Sequence, residues 1–387
     1  MPYTPIVQRL VDWLESDSEH MTAMKASFTA ARASGVAQFT EYNIRKLEDY
    51  LHYLDGYVNW VPTETHDGAE RWPVKQWQNP IDPLGGEPKR FITRWLIEYA
   101  QAMGSWMDKP ESLTKESIQT FYDAKRYHME SYPVPEGGWN NFNEFFSRHI
   151  NLDLRPIAGP NDDRIIVSPA DCTFDGIWDV TEHGANVNTF TAKGIPWKIS
   201  KLIDDAGLGP QFAGGKFTHS FLNANNYHRQ HAPVSGQVVE AKVIPGICYL
   251  QVVLQEGENG PVVGPHRHMR DRNDSVIPAS KRPMAILDAP DWPGYQFMQA
   301  RGLILIDNPL LGLVAVLPIG MAQVSSVKLS VQSGQYVQKG DEISWFEFGG
   351  SDIIMVFQKK AKVKFLQDPN VFYEVRSAAA VGGDWVP

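Results

Sequence analysis

The chain has 387 residues, 43% of them hydrophobic and 21% charged, a globular composition that excludes both a mini-protein and wholesale disorder. Lys and Arg number 36 against 45 Asp and Glu, a formal charge of −9, so no basic surplus argues for nucleic acid or an anionic membrane surface. Two cysteines, Cys172 and Cys248, cannot build a disulfide framework, and the start Met1-Pro2-Tyr3-Thr4 lacks the basic and apolar regions of a signal peptide, which points to a reducing, cytoplasmic setting.

In chain order, the first 150 residues read as helical. Ile6, Leu10 and Leu14 repeat at helical spacing, as do Leu47, Tyr50, Leu51 and Leu54, and then Ile92, Trp95, Leu96, Tyr99, Met103 and Trp106. Residues 59–89 are rich in Pro and Gly and read as a long surface loop. From Arg164 the texture changes to short β-rich runs at 165–167, 238–243, 249–254, 303–306, 313–317 and 353–357. One helix, 197–206, interrupts them and is closed by Gly207. Residues 302–324 carry a single ionisable group, Asp307, over a length that could span a bilayer. Asn308-Pro309 and Pro318-Ile319-Gly320 cut that stretch into short Val/Ile/Leu runs, the pattern of buried strands, and no stable membrane anchor is expected.

The expected fold class is therefore α+β: a helical N-terminal domain, 1–150, followed by a strand-dominated domain, 151–387. Pro233-Val234-Ser235-Gly236 and Ser333-Gly334-Gln335-Tyr336 echo one another as Gly-containing turns feeding strands, which suggests barrel-sandwich character. A biotinyl or lipoyl carrier would need a Lys at a hairpin tip beside Met or Asp, and no Lys has that context.

Three segments place polar groups in apolar surroundings: Ser168-Pro169-Ala170-Asp171, Tyr227-His228-Arg229-Gln230-His231 and Phe348-Gly349-Gly350-Ser351-Asp352. Together they supply a hydroxyl, candidate bases and a carboxylate, the parts of an activated serine. The order Asp, His, Ser also suits a serine hydrolase acting on an external ester or amide. Two glycines before Ser351 leave the preceding carbonyl open, which makes attack by the Ser351 hydroxyl on Gly350 the second option. The His228-x-x-His231 spacing has no third metal ligand nearby. The basic loop 265–272 reads as a solvated surface or a carboxylate or phosphate contact, and Trp292 and Tyr295 as packing or a wall for an aromatic substrate. Asp352 is either a group that tunes the chemistry or a solvent-facing carboxylate.

These residues resemble the pyruvoyl-dependent phosphatidylserine decarboxylases, in consistent order from about residue 142 to 365. The matching segments are Phe145-Phe146-Ser147-Arg148, Arg155-Pro156-Ile157, Ser168-Pro169-Ala170-Asp171, Lys193-Gly194, Phe212-Ala213-Gly214-Gly215, Tyr227 through Gly236, Lys339-Gly340-Asp341-Glu342 and Gly350-Ser351. The resemblance implies a zymogen cleaved autocatalytically between Gly350 and Ser351 into a β chain, 1–350, and an α chain, 351–387, with a covalent pyruvoyl group formed from Ser351. It implies Asp171 and His231 as charge-relay partners of Ser351, and His228 as the histidine of the decarboxylation step. No pyridoxal phosphate and no metal is implied. The pyruvoyl ketone would form a Schiff base with the substrate amine and accept the electron pair left by carbon dioxide.

Where this family usually has Leu-Gly-Ser-Thr at the processing point, the chain has Gly349-Gly350-Ser351-Asp352, and a polar, Trp-rich helical region takes the place of an apolar anchor. Both features resemble the subgroup of tryptophan decarboxylases of psilocybin-pathway type. They imply a small-molecule substrate, a free, aromatic L-amino acid, with phosphatidylserine as the alternative, and family analogy adds a homodimer.

Overall fold

The computed structural model describes residues 2–33, 35–64, 91–182, 189–192, 195–205, 207–248, 252–257, 260–265, 299–320, 326–348 and 351–384. Helices come first: α1 Pro5–Glu15, α2 Ser18–Ala33, α3 Ala37–Glu41, α4 Leu47–Val58, α5 Phe91–Met107, α6 Lys115–Asp123 and α7 Phe142–Phe146. The stripe Val7, Leu10 and Leu14 of α1 is fully buried, and polar ties fix the helices on one another. Trp95 Nε1 of α5 donates to the Ile6 carbonyl at 2.8 Å, the Tyr99 hydroxyl donates to the Leu54 carbonyl at 2.7 Å, and the Thr4 hydroxyl donates to Asp55 at 2.7 Å. α6 starts in a reciprocal cap between Thr114 and Ser117, and α7 starts where the Asn141 side chain accepts from the Glu144 N–H. All three phenylalanines of α7 point into the main core.

Strands dominate from residue 165: β1 Ile165–Val167, β2 Cys172–Asp179, β3 Thr189–Ala192, β4 Ile195–Lys198, then helix α8 Ile199–Leu202, β5 Lys216–Leu222, β6 Arg229–His231 and β7 Gly236–Ile244. They continue with β8 Val252–Gly257, β9 Gly260–Pro265, β10 Arg301–Asn308, β11 Gly312–Gly320, β12 Val327–Leu329, β13 Tyr336–Val337 and β14 Glu342–Phe346. The last are β15 Ser351–Phe357, β16 Lys364–Phe365, β17 Val371–Tyr373 and β18 Ala378–Val381.

Among the described residues, eight strands join in one antiparallel sheet of order β13-β7-β10-β11-β15-β5-β2-β17. The apolar stretch 302–320 is the hairpin β10–β11 at its centre, and no helix among the described residues is long and apolar enough to cross a membrane. Alternating side chains feed two cores. Val316, Ile353, Met355 and Phe357 enter one with α7, whereas Leu317, Ile319, Ile354 and Val356 enter the other with α8. At about 25 cal/mol per Å² of apolar surface, this two-sided burial makes the sheet the main stabilising layer. The architecture is α+β, helices leading a strand-rich core.

Two expectations change. The helix expected over 197–206 is only α8, because Phe190 and Trp197 pair in the β3–β4 hairpin, whose ladder claims the backbone groups that a longer helix would have used. Its end is also not a glycine cap: Asp204 takes the left-handed φ of 52°, and the Asp205 carboxylate accepts the N–H groups of Gly207 and Leu208. Residues 65–89 of the expected loop, 249–251 of the expected strand, 266–272 of the basic loop, Lys193-Gly194, Trp292 and Tyr295 lie outside the described residues. The two echoed turns meet directly, since Tyr336 and Val337 pair with Gln237 and Gly236.

Lys339 is buried, its ammonium donating to the carbonyls of Gly159, Asp162 and Ile165 at 2.5, 2.8 and 3.0 Å. That lysine clips the chain entering β1 to the turn before β14. Lys339→Met would leave three carbonyls without their donor, and a loss of about 2–4 kcal/mol in unfolding free energy is expected; urea titration of the two proteins is the check.

Candidate active site

β15 lies between β11 and β5, with Ser351 opposite Gly320 on one side and Leu222 on the other. Its first residue is thus held at the middle of the sheet and is completely buried. The Ser351 hydroxyl is 3.3 Å from Nδ1 of His228, a length at the outer edge of hydrogen bonding. His228 is itself fully buried just ahead of β6. Its ring stacks on Phe146 at 4.0 Å between centroids, meets the edge of Phe346, and has Nε2 3.4 Å from the Ala224 carbonyl. A turn in which the Asn223 N–H donates to the Asn226 side chain at 2.7 Å presents that carbonyl.

Beneath α7, Arg148 is fully buried with its guanidinium 4.1 Å from the Tyr132 ring centre and 4.8 Å from that of Phe145. These cation–π contacts fix the segment that carries Phe146.

His231 and Asp171 are buried nearby but engaged elsewhere. Since the Gly340 carbonyl can only accept, His231 Nδ1 carries the proton that binds it at 2.7 Å, which leaves Nε2 to accept from the Tyr227 hydroxyl at 3.1 Å. Burial, helped by Arg376 and Arg229 and opposed by that Gly340 bond, pushes the His231 pKa down to about 4, so the ring is neutral near pH 7. Asp171 accepts from Arg155 Nε and Nη2 at 3.1 and 2.9 Å and from the Val375 N–H at 2.7 Å. The structure therefore joins Ser351 to His228. The side-chain hydrogen bonds do not run in the expected order Asp171, His231, Ser351, because an Arg fork and a carbonyl satisfy the two intended partners first. Asp171 and His231 are linked through the backbone, the His231 N–H donating to the Pro169 carbonyl at 2.8 Å. Gly350 lies outside the described residues.

Beyond Phe146, the ring stacked on His228, opens a cavity of about 460 Å³ whose described lining includes neither Ser351 nor His228; its volume is within the range of small-molecule sites. Phe146, Phe348 and Ala224 line its inner end, while Tyr42, Tyr53, Tyr57 and Trp60 close it from the N-terminal helices. Glu64 is its carboxylate, receiving the Tyr127 hydroxyl at 2.7 Å and paired with Arg126. Among the described lining residues there is no Lys or Arg. Sequence reasoning missed this helical wall, whose signal was an excess of aromatic residues over what the stripes of α4 and α5 need. Nor do the described residues hold a cluster of three or more His, Cys, Asp or Glu placed for a metal ion.

A family model described as phosphatidylserine decarboxylase matches residues 142–382. The chain belongs to the phosphatidylserine decarboxylase family. Among similar proteins, the decarboxylase iboD of Amanita muscaria is 29% identical over 66% of this chain and 70% of its own length. The L-tryptophan decarboxylase of Psilocybe cubensis is 28% identical over 60% of this chain, a match spanning half of that relative. A phosphatidylserine decarboxylase proenzyme of Fusobacterium nucleatum is 28% identical over 71% of this chain and 76% of its own length. These relatives are decarboxylases, and membership makes the chain an enzyme of the carboxy-lyase class.

The neutral His231 has a consequence for acid stability. Unfolded, the ring takes a proton near pH 6.5; folded, not until about pH 4. The folded pKa is depressed, so the associated stability is complete above pH 6.5 and is lost as the pH falls from there through about 4. Urea midpoints should therefore drop more steeply from pH 7 to 4.5 in the wild type than in His231→Gln; equal slopes would show that the ring is not held neutral.

Proposed function

We propose that the chain is a self-processing, pyruvoyl-dependent decarboxylase of a free L-amino acid with an aromatic side chain. The observation that carries this reading is the buried Ser351 hydroxyl against His228, at the head of the central strand, with Phe146 stacked on that ring and lining an aromatic cavity that has no described Lys or Arg. The cavity takes an aromatic amino acid whole. A diacyl lipid would have to leave its chains outside, and its phosphodiester would find no described Lys or Arg on the walls.

In this reading His228 accepts the hydroxyl proton as Ser351 Oγ attacks the carbonyl carbon of Gly350. The Gly350–Ser351 peptide bond breaks and an ester takes its place. Loss of the Cα proton of residue 351 expels the Gly350 carboxylate from Cβ, and the dehydroalanine left behind takes up water and releases ammonia. The products are a β chain, 1–350, and an α chain, 351–387, headed by pyruvoyl.

The pyruvoyl group supplies a conjugated carbonyl that draws off the electron pair left by carbon dioxide. The residues around position 351 fit such a group: the site is buried among apolar side chains, with one imidazole in reach. Phe146 and Phe346 orient the His228 ring, which moves protons at the reacting carbon. The apolar walls exclude water and favour loss of the charged carboxylate. Asp171 and His231 act at one remove, through the Val375 and Gly340 backbone that they tie down. The same proposal includes a division into a helical domain, 1–150, and a catalytic domain, 151–387, with barrel-sandwich character supported by β13 lying on β7, in a cytoplasmic dimer.

Purified protein should run as two polypeptides on a denaturing gel, and Ser351→Ala as one inactive full-length band; two bands from that variant would overturn the processing site. His228→Ala should lose turnover by at least about 100-fold per cleaved molecule, measured as released carbon dioxide. The cleaved fraction should fall most in His228→Ala, which loses the base of the processing step, and less in His231→Ala and Asp171→Ala, whose cleaved molecules should keep most of their turnover. For substrate class, released carbon dioxide is compared for L-tryptophan, L-phenylalanine, L-serine and phosphatidylserine. Gly56 lines the cavity from α4, and a Cβ there would meet nothing within 4 Å. Gly56→Leu should therefore leave processing intact but raise the KM for the preferred aromatic substrate by about tenfold, the loss of about 1.4 kcal/mol of binding.

A further inference from the structure

Three buried ionisable side chains that the chemistry above does not use meet on the other face of β15. Asp352 follows Ser351 and therefore points away from it, toward the core that holds Ile354 and Val356. There it is completely buried, which rules out the solvent-facing carboxylate of the sequence reading. Its Oδ2 lies 3.3 Å from Nε2 of His219, and Nδ1 of the same ring lies 3.0 Å from Asp175 Oδ2. Burial alone would lower the His219 pKa; the Asp352 and Asp175 carboxylates outweigh it and carry the pKa up to about 9.

The backbone builds this arrangement deliberately. His219 sits opposite Ile354 of β15 on one side and Gly176 of β2 on the other. The register of β2 slips between Phe174 and Gly176, so Asp175 is the bulged residue, and a bulge re-aims its side chain. Buried ion pairs are weak sources of net stability, but they are specific in geometry, and removing one partner is costly.

We propose that Asp352, held by His219 and through it by Asp175, is a positioning residue that fixes the head of the α chain. This rests on the processing reading. Before the cut, residue 351 is restrained by chain on both sides; afterwards it is a terminus, and termini fray. An anchor on the next residue, directed into the opposite core, keeps position 351 against His228 without occupying the substrate side.

The test uses the processed protein and does not depend on the identity of the substrate. Hydrogen exchange of the peptide 351–357 and the rate at which phenylhydrazine traps the α-chain carbonyl are measured for wild type, Asp352→Asn, His219→Gln and their double variant. Ile354→Val serves as a same-face packing control. Asp352→Asn should speed exchange of that peptide and hydrazone formation each by about fivefold or more, beyond the change that its lower stability brings to peptides elsewhere in the sheet. The double variant should be no worse than the poorer single one, as partners in one contact require.

Asp175→Asn leaves the His219–Asp352 contact in place and should give a smaller change of the same sign; it carries the test if Asp352→Asn does not fold. Wild-type rates in a cleaved Asp352→Asn or Asp175→Asn protein, or equal changes in Ile354→Val, would overturn the anchor alone. An active wild type that remains one uncut chain would overturn the processing reading and this proposal with it.

Discussion

Successive side chains of a β-strand leave on opposite sides, and in β15 that alternation separates two chemistries by a single residue. Ser351 turns toward His228 and the core that holds α7, while Asp352 turns into the second core against His219. Neither could be arranged so on an edge strand, where one flank would lack a ladder partner. β11 and β5 hold the strand from both sides over its whole length, and every residue of it is buried. A one-residue slip would exchange the hydroxyl and the carboxylate between the two cores. The dense Val/Ile/Leu packing of β10, β11 and β15 therefore sets the register on which the reactive serine depends.

The cavity also joins residues inside and outside the stretch matched by the family model. Phe146, Ala224 and Phe348 fall within the residues matched by the family model, whereas Tyr42, Tyr53, Tyr57 and Trp60 precede them. The proposed reaction centre thus lies inside the matched region, and the aromatic wall outside it. Aromatic side chains suit that wall, because they bury large areas on few rotatable bonds and offer π-faces to a flat ligand.

Much of this was legible in the residues because the patterns were local. The stripes of α1, α4 and α5, the break of the 302–324 stretch at Asn308-Pro309, and the family motifs each depend on near neighbours in sequence. Failures came where distant partners decided the outcome. Trp197 carries helical neighbours yet joins a hairpin with Phe190. Asp171 stands in a motif, but which cation or imidazole it meets depends on how Arg155 folds back onto it. His219 stands in none of the segments that the sequence singles out, and only the bulge at Asp175 and the register of β15 give it two carboxylate neighbours.

The segment after Ser351 supplies β15 in the middle of the large sheet, β17 at its margin beside β2, and β18 between β1 and β16 in another sheet. A polypeptide severed before Ser351 would remain threaded through both layers, so the pieces could separate only if the whole strand-rich core came apart. Once apart they would be two molecules, and reassembly would become a concentration-dependent encounter instead of a search within one chain. Maturation would therefore convert a fold able to renature into one whose persistence is governed by its escape rate, with hysteresis between melting and recovery.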